Sequence, residues 1–308
     1  MFYKLHLKML GLEMSANARH APVKDAGQPQ HRVARSAWVW LIGLLIASTV
    51  MAGSPEALVA VSRGSHLTPA GDRIDFLLFV PQADPTIAIP PYPALVLTHG
   101  FARDYGRHID NALRYARDGV IVMTPNLIGT TESAELQSRS ASNTADHVRW
   151  LIARATDPTD PLFGVLDPDR IALAGHSAGG ANSLEAAVLL QDEGTPVAGL
   201  VLLDAVPYAE TIRAARRLAP LPLLSLRSAA GACNAYGVVK WLEQALTFPF
   251  ESRQIRNGTH CDPESPTDAV CELACGGSSE AARTTYRDLT NQFLHETFGG
   301  AADAPSSN

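Results

Sequence analysis

From residue 59 to residue 298, short apolar runs alternate with longer stretches in which apolar residues recur every three or four positions. The runs at 94–98, 120–124, 171–174, 199–204, 221–226 and 248–255 have the length and composition of strands. Residues 59–61 and 73–80 read as two edge strands joined through Gly71-Asp72. A helical period predicts helices over 105–118, 144–155, from Ser177 to near Gly194, 209–218, 238–246 and 280–297. A connector with Pro81, Pro85, Pro90, Pro91 and Pro93 leads into the 94–98 strand, and a long polar loop is expected over 126–142. This rhythm predicts an α/β fold with a mostly parallel central sheet and helices on both faces. Ligands in such folds sit beyond the carboxyl ends of the strands. Thr98, Ser177, Asp204 and His260 all fall there.

One of these strand ends carries a motif. The run at 171–174 is interrupted by Gly175-His176-Ser177-Ala178-Gly179, and a helical pattern follows with Ala181, Leu184 and Val188 on one face. Strand, sharp turn and helix form the context in which G-x-S-x-G is a nucleophile elbow. The turn forces Ser177 into a strained backbone conformation, and the flanking small residues let strand and helix approach closely. The N–H of Ala178, at the helix start, then faces any negative charge that develops beside Ser177 Oγ. A Gly-rich turn of purely structural purpose is the alternative.

A serine hydroxyl needs a base within hydrogen-bond reach, itself oriented by a third group. Only His260 and His295 follow the elbow. His295 lies in the last helical pattern and reads as a surface residue, whereas His260 sits in a loop directly after the last strand, where a base must hang. The acid is expected at Asp204, at the end of the strand beside the elbow strand. The stretch from Leu226 to Asn234, one strand later, contains no carboxylate. Asp204 could instead cap the next helix, and Asp262 and Glu264, close to His260 in sequence, stay open as other acids. His99-Gly100 makes a tight bend that exposes the N–H of Phe101 as a second oxyanion donor, with His99 a structural hydrogen-bonding residue.

Composition adds compartment and partners. The 308 residues, 46% hydrophobic and 18% charged, suffice for one full-sized core. The formal net charge of −6, with Arg213, Arg216 and Arg217 on one helix as a solvated face, reads against nucleic acid. Residues 1–52 combine Lys4, Lys8, Arg19, Lys24, Arg32 and Arg35 with an apolar run over 37–50 and the ending Val50-Met51-Ala52. That is the pattern of a secretory signal cleaved after Ala52, or of an uncleaved N-terminal anchor that would be the only membrane contact; translation from Met14 would shorten it. Cleavage removes six basic and two acidic residues and takes the charge to about −10. The catalytic domain is then 53–298, and 299–308 is a flexible tail. Cys233, Cys261, Cys271 and Cys275 read as two disulfides in an oxidising compartment, Cys233–Cys261 and Cys271–Cys275 being the expected pairs because Cys233 and Cys261 follow successive strands at one sheet edge. A zinc site of His260 with three cysteines is the competing reading.

The elbow Gly175-His176-Ser177-Ala178-Gly179-Gly180, the His99-Gly100-Phe101 loop and the terminal His260 loop resemble the α/β-hydrolase superfamily over roughly residues 59–298. With its acid at Asp204, the chain looks like the chlorophyllase and platelet-activating-factor acetylhydrolase-like branch. Bacterial polyester hydrolases place the acid one strand later. Ala178 is smaller than the residue those relatives often carry, no large cap fits between Asp204 and Leu221, and the segment 261–276 is peculiar to this chain. The resemblance implies a secreted serine ester hydrolase without metal or organic cofactor, taking a small-molecule or lipid-like ester on Ser177, Asp204 and His260. A thioesterase, a peptidase or a non-catalytic binding protein on the same scaffold remain its alternatives.

Overall fold

The computed structural model describes residues 58–82, 89–128 and 133–299. The expected signal segment and the tail beyond residue 299 lie outside the described residues. Two segments form an edge hairpin, the largely exposed β1 (Val59–Leu67) and the more buried β2 (Arg73–Pro81). Six further strands follow: β3 (Tyr92–Thr98), β4 (Ile121–Pro125), β5 (Leu166–His176), β6 (Leu200–Leu203), β7 (Leu223–Arg227) and β8 (Glu251–Gln254). They make one eight-stranded sheet in the order β1-β2-β4-β3-β5-β6-β7-β8. Pairing is antiparallel at β1–β2 and β2–β4 and parallel elsewhere. The order reverses between β3 and β5, so the ends of these two strands open the crevice where such sheets bind ligands.

Alternation along the central strands builds two cores. Ala94 and Val96 of β3 and Ile171 and Leu173 of β5 face one side, while Leu95, Leu97, Ala172 and Ala174 face the other. The first face is covered by α2 (Ala134–Thr156), α3 (Ala178–Asp192), α4 (Ala209–Ala215) and α5 (Val239–Ala245). The second is covered by α1 (Ile109–Arg117) and α7 (Glu280–Gly299). Among the described residues only the seven-residue α4 stands between β6 and β7, so no large cap is evident.

Three elements depart from the sequence expectation. Helix α2 begins at Ala134, ten residues before the expected 144, with the Ser133 hydroxyl accepting from the Leu136 N–H at 3.1 Å. The first half of its buried face is mostly polar, with Gln137, Ser140, Asn143, Thr144 and His147 buried, and Val148, Leu151 and Ala155 follow only in the second half. Ser140 Oγ donates to the Ile128 carbonyl at 2.9 Å, and Asn143 Nδ2 donates to Asp72 at 3.0 Å. An apolar period cannot reveal such a face. Strand β8 is shorter than expected and largely exposed, held by its register with β7 (Leu224 opposite Glu251) rather than by burial.

The third departure is α6 (Ala269–Cys275), a helix not anticipated, whose N-cap Asp268 accepts from the Cys271 N–H at 2.9 Å. It corrects the cysteine pairing. The disulfides are Cys233–Cys275 and Cys261–Cys271, not Cys233–Cys261 and Cys271–Cys275. Residues 271 and 275 lie four apart, one above the other on one helix face, and each meets a different loop. The sulfurs of Cys261, Cys271 and Cys275 cluster as a metal site would, but all three are disulfide-bonded, and a disulfide sulfur is not a thiolate ligand.

Reducing both bonds frees loops separated by 42 and 10 residues. On the chain-entropy account these are worth about 4 and about 3 kcal/mol. The reduced protein should melt at lower temperature, and the loops around His260 and Asn234 should loosen, because Cys261 adjoins His260 and Cys233 adjoins Asn234. An unchanged melting temperature after reduction would contradict this.

Candidate active site

The turn after β5 is built by close backbone approach. A Cβ on Gly179 would sit 2.4 Å from the His99 carbonyl oxygen, and one on Gly175 would sit 2.3 Å from the Gly179 carbonyl carbon. Thr98 Oγ1 fastens the same crossing by donating to the Gly179 carbonyl at 3.0 Å. Squeezed between strand and helix, Ser177 adopts φ 55°, ψ −121°, a conformation costly for any residue with a side chain. Its backbone is tied on both sides: its N–H donates to the Leu203 carbonyl at 3.0 Å, and its carbonyl accepts from Val206 at 3.0 Å. The strain points the hydroxyl out above the strand ends.

Two side chains from distant loops meet that hydroxyl. His260 Nε2 lies 2.9 Å from Ser177 Oγ, and His260 Nδ1 lies 2.7 Å from Asp204 Oδ2. A carboxylate can only accept, so Nδ1 carries the proton and Nε2 presents its lone pair to the serine hydroxyl. Both imidazole nitrogens face these two partners, an arrangement unlike that of a zinc ligand. Asp204 follows β6 directly and is fully buried. Burial pushes its carboxyl up, but the bonds from His260 and Ser228 outweigh this and hold it below its ordinary value. Burial lowers His260, and the Asp204 carboxylate offsets only part of that, leaving it below 6.5.

Sequence reasoning did not single out the residues that hold Asp204. The Ser228 N–H donates to Oδ1 at 2.9 Å, the Ser228 hydroxyl donates to Oδ2, and Asn234 Nδ2 lies 3.2 Å from Oδ2. Both belong to the stretch 226–234 set aside for lacking a carboxylate. The usable signal there was donors rather than acids: an Asp at the end of one strand needs N–H and O–H groups from the next. The other acids considered for the role sit elsewhere. Asp262 closes its own turn, accepting from the Thr259 N–H at 2.6 Å and the Ser279 N–H at 2.7 Å. Glu264 lies behind His176 and is paired with Arg103 at 2.6 Å. Burial pushes the Glu264 carboxyl up, yet the neighbouring His176 ring and the hydrogen-bonded Arg103 guanidinium more than reverse this and hold it well below the carboxylate range.

A cavity of about 10 Å³, lined by His99, Gly100, Phe101, Leu127, Gln137, Ala178 and Asn182, borders the elbow. That is room for one water-sized group. The two sequence-predicted oxyanion donors, Phe101 and Ala178, are on its wall, and Ala178 is the first residue of α3, where the helix dipole is positive. His99 shapes the bend. Its Nε2 accepts from the Leu127 N–H at 2.9 Å, so its Nδ1 carries the proton and donates to the Gly100 carbonyl at 2.8 Å. Outward from the cavity, Gln137 Nε2 donates to the Tyr208 hydroxyl at 3.0 Å, joining α2 to the residue that precedes α4. Tyr208 in turn walls a surface cleft with Ile212, Arg213, Val238 and Trp241.

Several buried histidines are kept neutral, with consequences for acid stability. Burial pushes His99 down to about 4, and His108 and His147 down to about 3. The ordinary value of 6.5 applies once the chain unfolds, so below pH 6.5 the unfolded chain binds more protons than the folded one. Stability is therefore full above pH 6.5 and declines as pH falls, through as many as three protons, or about 4 kcal/mol per pH unit at the steepest. Urea unfolding at pH 7, 6 and 5 checks it. A midpoint that does not move between pH 7 and 5 would refute it.

A family model described as "Alpha/beta hydrolase family" matches residues 95–291, the span from β3 into α7. No curated protein matches the chain.

Proposed function

The chain belongs to the alpha/beta hydrolase family, and from that premise we propose that it is an exported serine hydrolase that cleaves carboxylic esters through an acyl-enzyme on Ser177. The observation that carries this reading is the continuous hydrogen-bonded series Ser177–His260–Asp204 at the carboxyl edge of the sheet. Ser177 Oγ attacks the ester carbonyl as His260 Nε2 takes its proton. Asp204 holds the imidazole in the Nδ1–H tautomer and stabilises the imidazolium that forms. The N–H groups of Phe101 and Ala178 receive the oxyanion, each worth about 10²–10³ in rate. The imidazolium returns its proton to the leaving alcohol. Water, deprotonated by His260, then attacks the acyl carbon and releases the acid and Ser177.

Within the family, the acid at the end of the strand next to the elbow strand favours the chlorophyllase and platelet-activating-factor acetylhydrolase-like branch. With no large cap evident among the described residues, the site suits a small-molecule or lipid-like ester. Export rests on the basic-then-apolar pattern of residues 1–52, and the two disulfides are compatible with an extracellular setting. No helix among the described residues is long and apolar enough to cross a membrane.

The test is a panel of p-nitrophenyl esters of graded acyl length, run beside matched thioesters and amides, on the full chain and on Ser177→Ala. Ester turnover lost in the variant supports the reading. Faster turnover of thioesters or amides reassigns the substrate, and a fluorophosphonate probe that fails to label Ser177 removes catalysis altogether.

A further inference from the structure

His176, the last residue of β5, is bonded covalently to the nucleophile, yet its side chain belongs to neither the base nor the oxyanion cavity. It is 2% exposed, and its Nε2 lies 2.8 Å from the main-chain carbonyl of His260. A carbonyl only accepts, so Nε2 carries the proton and donates. The other ring nitrogen, Nδ1, is buried without a hydrogen-bond partner, with Glu264 Oε1 3.5 Å from it. Glu264 is fully buried and gripped by both arms of Arg103, Nε at 2.7 Å and Nη2 at 2.6 Å. Arg103 comes from the loop after β3, two residues past Phe101, and also pairs with Asp268 at 3.1 Å. Thus one imidazole and one carboxylate join three loops: the elbow, the loop carrying the base, and the loop carrying an oxyanion donor.

This proposal rests on the serine-hydrolase reading above. We infer that His176 is a positioning residue: by holding the His260 carbonyl to the strand that bears Ser177, with the Arg103–Glu264 pair packed against the other edge of its ring, it sets the Nε2–Oγ distance. Space around it is already committed. A Cβ on Gly100 would lie 3.1 Å from His176 Nδ1, so the ring is wedged between the oxyanion loop and the base, with the His260 ring 4.7 Å away between centroids. The loop is also anchored by the Cys261–Cys271 disulfide, by Asp262 accepting from the Ser279 N–H at 2.7 Å, and farther along where Asn111 Nδ2 donates to the Pro263 carbonyl at 2.9 Å and the Ser265 N–H donates to the Arg107 carbonyl at 2.8 Å, but these bonds lead to segments other than the elbow. Near the base itself, His176 supplies the crosslink to the elbow. Loss of that link would let the imidazole drift, and a drift of about 1 Å can cost about 100-fold in rate without altering substrate affinity.

The experiment compares wild type, His176→Ala, His176→Gln and Glu264→Gln in the full chain. It reads kcat and KM on a short p-nitrophenyl ester, the rate of fluorophosphonate labelling, and the melting temperature. His176→Ala should lower kcat and the labelling rate together, by about 10- to 100-fold, with KM within about twofold. His176→Gln, whose Nε2–H can reach the same carbonyl, should recover most of that loss. Glu264→Gln should fall between wild type and His176→Ala in kcat. A His176→Ala protein that labels as fast as wild type overturns the inference, as does a folded His176→Gln that is no faster than His176→Ala. If His176→Ala does not fold, an undiminished kcat in Glu264→Gln overturns it. Wild-type protein that resists the probe instead overturns the serine-hydrolase reading, so the two failures are distinct.

Discussion

Ser177→Ala should lose ester turnover by about 10⁴- to 10⁶-fold, and His260→Ala by a similar factor. The attacking oxygen and the only group 2.9 Å from it able to take its proton are then removed one at a time. Because the two act as one unit, the double variant should be no worse than either single one. Folding should survive Ser177→Ala, since the strained φ of 55° costs alanine no more than serine and the backbone bonds to Leu203 and Val206 do not involve the hydroxyl. Circular dichroism and melting curves verify that. A Ser177→Ala protein that keeps a tenth of the wild-type rate would mean the chemistry happens elsewhere.

The second large effect is expected at Asp204. Asp204→Asn should cost about 10³–10⁴ in kcat while leaving the fold intact. The reason lies in its donors. The Ser228 N–H, 2.9 Å from Oδ1, demands an acceptor on that side, so the amide oxygen of Asn takes that place and its NH₂ turns towards His260 Nδ1. Facing a donor, Nδ1 becomes the acceptor and the proton moves to Nε2, which can then no longer receive the serine proton. Ser228→Ala removes only the hydroxyl bond to Oδ2 and keeps the N–H, so it does not relieve that demand, and Asp204→Asn/Ser228→Ala should be as slow as Asp204→Asn. If Asp204→Asn ran near the full rate while Asp262→Asn was dead, the acid would have to be reassigned.

How far the site was legible depends on the range over which each part is encoded. The elbow is local: Gly175, Ser177, Gly179 and Gly180 occupy six consecutive positions, and the steric need for glycine there shows in the sequence itself. Asp204 and His260 were reachable by counting strand ends, because only one histidine follows the elbow in a loop after a strand. Their supports were not reachable. Ser228, Asn234, Arg103, Glu264 and His176 are ordinary residues whose meaning comes from what faces them across separations of up to 161 positions. The start of helix α2 was hidden for a related reason, since the first half of its buried face is mostly polar and satisfied by partners as distant as Asp72.

The cysteines show the same division most plainly. Their even number and their grouping in the last quarter of the chain determined that two bonds would form, and the alternation of strands and helices determined a parallel sheet with its chemistry at one edge. Which sulfur met which was decided by α6, a short helix that sets Cys271 and Cys275 about one turn apart on one face, each against a different loop. Periodicity and motif act between neighbours and are written in the order of residues. Pairing, hydrogen-bond partners and the position of an imidazole relative to a hydroxyl depend on distances that exist only once the sheet has brought remote segments together.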